Sequence, residues 1–233
     1  MSIFKFKKFS VQQAASAMKI GTDAMIFGSL IVADQKKSAL DIGTGTGVLA
    51  LMIAQKNPDL QLIGLEIEDE AFLEAQSNFQ HSPFHEQLNA IHGDFLQFKS
   101  SPFDLIFSNP PYFENSSKAN SSKRNLARHD DSLPLIDLFQ RVFELLTEDG
   151  HFWIILPATT VNEYLLIVEK IGLYPEEIIS IYGKENQLVR KVVSFTKHIK
   201  SIVLSELIVR NSDGTYTEMY KKFTEAYHFN QLK

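Results

Sequence analysis

Cysteine is absent from this 233-residue chain, which excludes disulfide bridges, cysteine-ligated zinc and thiol catalysis. Long apolar runs are absent too. The longest covers residues 24–33, is interrupted by Gly28 and Ser29, and is shorter than the ~20 residues that a transmembrane helix needs. Residues 1–10 alternate Phe with Lys and lack the continuous apolar stretch of a secretory signal. We therefore expect a cytoplasmic protein without a membrane segment.

Positive charge is in short supply, since the formal net charge at pH 7 is −5. The sum argues mildly against non-specific binding to nucleic acid, although the distribution of charge matters more. Basic residues gather in three segments, which we interpret as candidate phosphate contacts. The segments are Lys5, Lys7 and Lys8; Lys118, Lys123, Arg124 and Arg128, with His129 next to them; and residues 184–200.

Metal-ligand spacing is also missing. His81 and His85 are four residues apart, but Pro83 between them argues against a helical ligand pair. We predict no metal site. The length and the ordinary composition fit one domain over residues 1–233, with a basic and helical segment at 1–37 packed on it.

The middle of the chain alternates short apolar segments with amphipathic ones, a pattern typical of a parallel sheet with helices on both faces. Strands are predicted at 38–42, 60–65, 88–92, 103–108 and 151–156, and helices at 24–33, 48–55, 69–80, 135–146 and 160–171. The tail differs, with strand signals at 177–182, 189–196 and 202–210 before a final helix at 219–227. We predict a Rossmann-like α/β fold whose seven-stranded, mostly parallel sheet ends in a C-terminal antiparallel hairpin.

Three segments lie outside this alternation. Residues 11–17 could begin a helix, and residues 19–23 form a turn with an N-cap before the helix at 24–33. Residues 114–125 are rich in Ser, Asn and Lys and nearly free of apolar side chains, so composition predicts a mobile loop there.

A glycine-rich segment, Asp41-Ile42-Gly43-Thr44-Gly45-Thr46-Gly47, stands where the first predicted strand becomes a helix. Glycine permits a tight turn and lets the backbone approach a ligand closely, and the helix N-terminus behind it offers free N–H groups to an anion. The spacing from Gly45 through Gly47 to Ala50 also matches the dinucleotide fingerprint. The glycines alone therefore do not choose the cofactor.

Two acids follow the next two strands. Glu66 lies about 20 residues beyond the glycines, where a carboxylate can accept hydrogen bonds from both ribose hydroxyls of a nucleoside cofactor. Asp94 is placed to accept from an adenine amino group, with Phe95 against the ring. Ribose recognition is common to NAD and S-adenosylmethionine, but Asp41 directly before the glycines and Asp94 after the third strand favour S-adenosylmethionine.

The segment Asn109-Pro110-Pro111-Tyr112 directly follows the fourth strand. Ligands of open parallel sheets bind outside the carboxyl ends of the strands. The prolines fix the backbone, so the Asn109 side-chain oxygen and the Pro110 carbonyl can accept both hydrogens of one planar amine while Tyr112 stacks on the substrate. The pattern predicts methyl transfer to an exocyclic or amide nitrogen.

With these motifs in place, the chain resembles the bacterial tRNA1(Val) adenine-N6 methyltransferases, which modify the adenine at position 37, next to the anticodon. The resemblance runs nearly from end to end. It includes residues 6–13 (Phe-Lys-Lys-Phe-Ser-Val-Gln-Gln), 18–23 (Met-Lys-Ile-Gly-Thr-Asp), 41–47, 108–112, 127–129 (Ala-Arg-His), 132–133 and 216–217.

The resemblance implies a class I methyltransferase fold, S-adenosyl-L-methionine as cofactor, and a tRNA anticodon-loop adenine as substrate, and we expect a monomer. The implied catalytic residues are Asn109, Pro110, Pro111 and Tyr112. The cofactor residues are Lys19, Thr22, Asp41, Gly43, Thr44, Gly45, Gly47, Glu66, Asp94, Phe95 and Asn109, with Lys19 and Thr22 closing the methionine end.

Four alternatives remain open. The Asn-Pro-Pro-Tyr segment also occurs in enzymes that methylate a release-factor glutamine, and related enzymes methylate guanine N2 in ribosomal RNA. An NAD-dependent oxidoreductase would explain the glycines and Glu66 but not Asn109. A non-catalytic module that binds S-adenosylmethionine or RNA is the fourth.

Overall fold

A computed structural model describes residues 3–13, 20–110 and 135–229. Its strands are β1 (Ile3–Lys5), β2 (Ser10–Gln12), β3 (Ser38–Ile42), β4 (Gln61–Glu66), β5 (Leu88–His92), β6 (Phe103–Ser108), β7 (Leu146–Pro157), β8 (Tyr174–Tyr182), β9 (Leu188–Thr196) and β10 (Val203–Ile208). Its helices are α1 (Thr22–Leu30), α2 (Val48–Lys56), α3 (Asp69–Gln80), α4 (Leu135–Leu145), α5 (Val161–Ile171) and α6 (Glu218–Thr224). None of these helices is long and apolar enough to span a bilayer.

The central sheet holds eight strands in the order β10-β8-β9-β7-β6-β3-β4-β5, and only β9 runs antiparallel to its neighbours. The predicted mostly parallel α/β fold with an antiparallel hairpin is confirmed. The predicted count of seven strands is wrong, because β10 pairs in parallel with β8 and adds a strand at the edge.

The register brings four strand ends to one edge of the sheet. Ile42 lies beside both Leu65 and Ser108, and Glu66 lies beside His92. The residues that follow β3, β4, β5 and β6 are therefore neighbours. We call this edge, formed by residues 43–47, 66–68, 93–95 and 109–110, the carboxyl rim.

Side chains of the sheet alternate between two apolar clusters, as the period of two in a strand requires. Ala39 and Phe107 face the cluster that holds α1 and α2, while Leu40 and Ile106 face the cluster that holds α4 and α5. Gly28 lets α1 approach α2 closely, because a Cβ there would lie 2.6 Å from the Met52 sulfur. Helix α1 therefore packs against the helix that begins at the glycine loop.

The N-terminal segment differs from its prediction. Residues 11 and 12 lie in β2 of a two-stranded antiparallel hairpin rather than in a helix, and Val11 pairs with Phe4. The physical reason is the alternation of Phe4 and Phe6 with lysines, which has the period of a strand. Phe6 and Val11 are buried in the same cluster as α1 and α2.

Candidate active site

The glycine loop at residues 43–47 has the backbone conformation that only glycine adopts readily. Gly43, Gly45 and Gly47 have φ angles of 68°, 56° and 80°. A Cβ added at Gly43 or Gly45 would meet no atom within 4 Å, whereas one at Gly47 would lie 2.4 Å from the Phe79 ring. The first two glycines therefore border open space, and the third is packed against α3.

Hydrogen bonds from β4 hold this loop in place. The amides of Gly43 and Thr44 donate to the Leu65 carbonyl at 2.9 and 3.0 Å. The Gly45 amide donates to Glu66 Oε2 at 2.7 Å. The end of β4 thus fixes the loop from the side opposite to α2.

Asp41 supports the loop from below. Its side chain is fully buried, and Oδ2 accepts a hydrogen bond from the Thr44 hydroxyl at 2.6 Å. Its Oδ1 accepts no hydrogen bond from any described residue. Burial raises the pKa of Asp41 to about 7, against the lowering effect of the Thr44 hydroxyl, and the charge of Glu66 raises it further. Since Asp41 has no exposed surface, it can act on a ligand only through the loop.

Glu66 is held by backbone amides and, within the described part of the chain, by no cation. It is 7% exposed; Oε2 accepts from Gly45, and Oε1 accepts from the amides of Ile67 and Glu68 at 2.9 and 3.1 Å. A carboxylate offers about four acceptor positions, so one remains on Oε2. The structure thus presents a fixed negative acceptor at the carboxyl rim, beside the open side of the loop.

Asp94 and Phe95 follow β5 at the same rim, since the Gly93 amide donates to the Glu66 carbonyl at 2.8 Å. Asp94 is half-buried, and its oxygens accept from the Leu96 amide at 2.9 Å and the Gln97 side chain at 3.1 Å. Phe95 is buried and belongs to the apolar cluster on the α4 and α5 side. Phe95 therefore anchors the turn that carries Asp94.

Asn109 and Pro110 follow β6 directly, and both are half-buried. The strand end is fixed because the buried Ser108 hydroxyl donates to the Ile42 carbonyl at 3.0 Å. Asn109 therefore stands one residue beyond a strand that pairs with β3, next to Gly43. The structure brings the predicted catalytic and cofactor segments together at one edge.

Thr22 opens α1, and the next residue forms a contact that sequence reasoning missed. Asp23 Oδ2 accepts a hydrogen bond from Arg190 Nε at 2.9 Å, across 167 residues of sequence. Arg190 pairs with Pro157 at the end of β7. This ion pair links the start of α1 to the end of β7. A local sequence pattern cannot predict it, because the two residues are far apart in the sequence.

The basic residues of segment 184–200 do not lie together in the structure. Lys191 and Arg190 lie at the rim end of β9, but Lys197 and Lys200 lie at its other end, where Lys197 donates to the Leu146 carbonyl at the start of β7. The remaining predicted site residues lie outside the described part of the chain. They are Lys19, Pro111, Tyr112, Lys118, Lys123, Arg124, Arg128 and His129.

Acidic and histidine side chains at the described positions form no group of three or more that could hold a metal ion. The protein groups at the carboxyl rim that can contact a ligand are carboxylate and backbone oxygens, backbone amides and one side-chain carboxamide. Such groups recognise hydroxyls, amines and carboxylates of an organic ligand.

A glycine loop and strand-end acids on the carboxyl rim of this fold are the arrangement of a class I methyltransferase. Residues 12–169 match the family model of the methyltransferase small domain. Solved structures share the fold. One is described as a predicted O-methyltransferase from Agrobacterium tumefaciens (TM-score 0.62, 18% identity, 87% of this chain and 95% of that one). Another is a TehB-like S-adenosylmethionine-dependent methyltransferase from Corynebacterium glutamicum (TM-score 0.51, 17% identity, 78% and 90%).

The chain belongs to the family of tRNA1(Val) (adenine(37)-N6)-methyltransferases. The relative of that name from Christiangramia forsetii is 37% identical over 97% of both chains. The one from Flavobacterium psychrophilum is 33% identical over 97% of this chain and 99% of its own. A third, from Photorhabdus laumondii, is 33% identical over 97% and 94%.

Proposed function

We propose that this protein uses S-adenosylmethionine to methylate N6 of an adenine in tRNA, at position 37 of tRNA1(Val). The observation that carries the proposal is the register of β3 with β6, which sets Asn109 and Pro110 beside the glycine loop. The names of the relatives supply the substrate. The end-to-end similarity favours this substrate over a release-factor glutamine or a ribosomal guanine.

The chemistry requires an acceptor pair more than a strong base. The exocyclic nitrogen of adenine is a weak nucleophile because its lone pair is delocalised into the ring. The Asn109 side-chain oxygen and the Pro110 carbonyl would accept its two hydrogens and turn the lone pair toward the methyl group. Once N6 carries the methyl group, it would release one proton to water.

The described residues fit the donor. The free acceptor position on Glu66 Oε2 would take a ribose hydroxyl, and Asp94 would take the adenine amino group. The open side of Gly43 and Gly45 at the N-terminus of α2 would receive the methionine carboxylate. Asp41 and Thr44 would hold the loop, and S-adenosylmethionine supplies an already activated methyl group.

The rest of the proposal concerns residues and properties that the structure leaves undescribed. Pro111 would fix the backbone and Tyr112 would stack on the target base, while Lys19 would join Thr22 at the methionine end. The basic residues of 118–129 would contact phosphates. We also propose that the protein is a single-domain monomer and that it acts on its tRNA substrate in the cytoplasm.

Methyl transfer from labelled S-adenosylmethionine tests the proposal. Purified protein would be given separate pools of unmodified tRNA, ribosomal RNA and release factor, followed by nucleoside mass spectrometry. The expected product is N6-methyladenine in tRNA alone. Label in release factor or in guanine would replace the substrate, and cofactor binding without label anywhere would favour a non-catalytic module.

A further inference from the structure

The three lysines of the N-terminal hairpin carry unneutralised charge. Lys5, Lys7 and Lys8 are exposed, and none forms an ion pair with a described residue. Some other cations of the described chain do have acidic partners, such as Lys221 with Glu218 at 3.0 Å. On a chain with a net charge of −5, this concentration of positive charge is a distinct surface feature.

The hairpin presents these lysines rigidly. Phe6 points inward and is buried, so the alternation of the strand sends Lys5 and Lys7 outward. The Phe6 amide donates to the Phe9 carbonyl at 2.9 Å, and their rings stack at 4.3 Å. Ordered lysine backbones lose less conformational freedom on binding than those of a flexible arm.

The far end of the chain completes the surface. The Lys7 amide donates to the Tyr227 carbonyl at 3.1 Å, and Lys5 Nζ lies 5.9 Å from the centroid of the Phe229 ring. Phe229 is 58% exposed. We call Lys5, Lys7, Lys8 and Phe229 the hairpin surface.

This surface leads away from the carboxyl rim. Asn78 joins the Gln12 end of the hairpin to the rim, because it accepts from the Gln12 amide at 2.8 Å and donates to the Thr46 carbonyl at 2.8 Å. The turn end of the hairpin lies nearer the amino ends of the sheet strands, because the Phe9 ring is 6.0 Å from Phe84, and Phe84 precedes β5. Lys8 lies four residues from Gln12, or about 13 Å along an extended strand.

We propose that the hairpin surface binds tRNA phosphates outside the loop that presents the target adenine, with Phe229 stacking on an exposed base or ribose. This inference rests on the proposed function. Lys8, about 13 Å from the Gln12 end, is too far to touch an adenine bound at the rim, and we expect an RNA arm that continues from the loop to run over this flank. Exposed cations interleaved with an aromatic ring suit nucleic acid.

The double variant Lys5→Gln/Lys8→Gln tests the surface, and Lys99→Gln/Lys170→Gln, two exposed lysines on the α4 and α5 side, is its matched control. For full-length tRNA, KM should rise about tenfold with kcat unchanged, and the slope of log Kd against log salt should flatten by about 1.4–1.8 for two lost phosphate contacts. For an oligonucleotide limited to the anticodon loop, KM should stay the same. The control should match the wild type for both substrates.

Three outcomes would overturn the inference. They are an equal rise of KM for the loop oligonucleotide, a tRNA salt slope equal to that of the control, and binding of phosphatidylserine vesicles that depends on these lysines while tRNA affinity does not. Phe229→Ser should weaken full-length tRNA binding about threefold without changing the salt slope. Because the salt slope is a binding measurement, it judges the surface even if methyl transfer to tRNA fails, which would refute only the proposed function.

Discussion

The two edges of the central sheet hold a glutamate in opposite ways. At the carboxyl rim, Glu66 is bonded by three backbone amides. At the amino edge, Glu176 is bonded by Lys200 at 2.6 Å and by His151 at 2.9 Å. Glu66 keeps an acceptor position and has no cationic partner among the described residues, whereas Glu176 is paired with a lysine and a histidine.

Side chains at the amino edge form a hydrogen-bonded network. His151 Nδ1 lies 2.9 Å from Lys36 Nζ, and the hydrogen bonds are complete when Nδ1 accepts from Lys36 and Nε2 donates to Glu176. Burial lowers the pKa of His151, and the charge of Lys36 lowers it further, which favours the neutral ring. This network bonds charged and polar side chains of the protein to one another, whereas the bonds to Glu66 from described residues come from backbone amides alone.

The largest expected effect lies at the rim. Asn109→Ala should lower kcat about 1,000-fold, because the target amine loses a preorganised acceptor, while the Kd of S-adenosylmethionine changes less than about threefold. Single-turnover methylation and calorimetry measure the two quantities. Asn89→Ala, on an exposed part of β5, is the control. A kcat near the wild-type value would refute the role of Asn109.

Two glycines of one loop should respond differently. Gly47→Ala should destabilise the protein by about 2–3 kcal/mol, since the methyl group meets Phe79 and φ is positive. Gly43→Ala should cost only about 1 kcal/mol in stability, because its Cβ enters open space, but it should weaken cofactor binding. Denaturant unfolding and calorimetry compare the pair. Equal destabilisation would contradict this account of the loop.

Two matched substitutions test the contrast between Glu66 and Glu176. Glu66→Gln should weaken S-adenosylmethionine binding about 20-fold, because the new NH2 group faces backbone donors and the ribose loses a charged acceptor. Glu176→Gln should leave binding unchanged and lower stability by no more than about 1 kcal/mol. If both variants bind the cofactor equally well, the rim carboxylate has no special role.

The smallest expected effect is a pH dependence at Asp41. Its pKa is about 7 in the folded protein, above the ordinary aspartate value of 3.8, so the folded state holds the proton more tightly. Its contribution to stability is fully present below the lower value and is lost as pH rises through the higher one. Between pH 5 and 7 the unfolding free energy should fall on the order of 1–2 kcal/mol relative to Asp41→Asn. Parallel stability curves would contradict the raised pKa.

Local patterns predicted the strands and helices that build the rim. The strands at 38–42, 88–92 and 103–108 and the helix at 69–80 have the predicted bounds, because each is a short apolar run or amphipathic stretch ended by Gly, Pro or polar residues. The N-terminal hairpin was missed although the Phe and Lys alternation was visible. The N-terminal segment forms strands because Phe6 and Val11 pack into the apolar core.

Long-range features could not be predicted. The position of β9 between β7 and β8, the pairing of β10 with β8 and the Asp23–Arg190 ion pair depend on contacts between distant segments. The position of Asn109 and Glu66 at the carboxyl rim could be predicted, because Glu66 ends one strand of a parallel sheet and Asn109 follows another. The amide bonding of Glu66 was not, because it depends on the loop conformation.

The meeting of residues 3–12 with residues 220–228 sets an order on synthesis by the ribosome. The side chains of Phe6 and Val11 are made more than 200 residues before Tyr227, which shares their cluster and bonds to Lys7 and Met52. A nascent chain therefore exposes the part of this apolar segment that Tyr227 covers until the ribosome has passed residue 227. We expect chaperone contact with the segment to persist until that point.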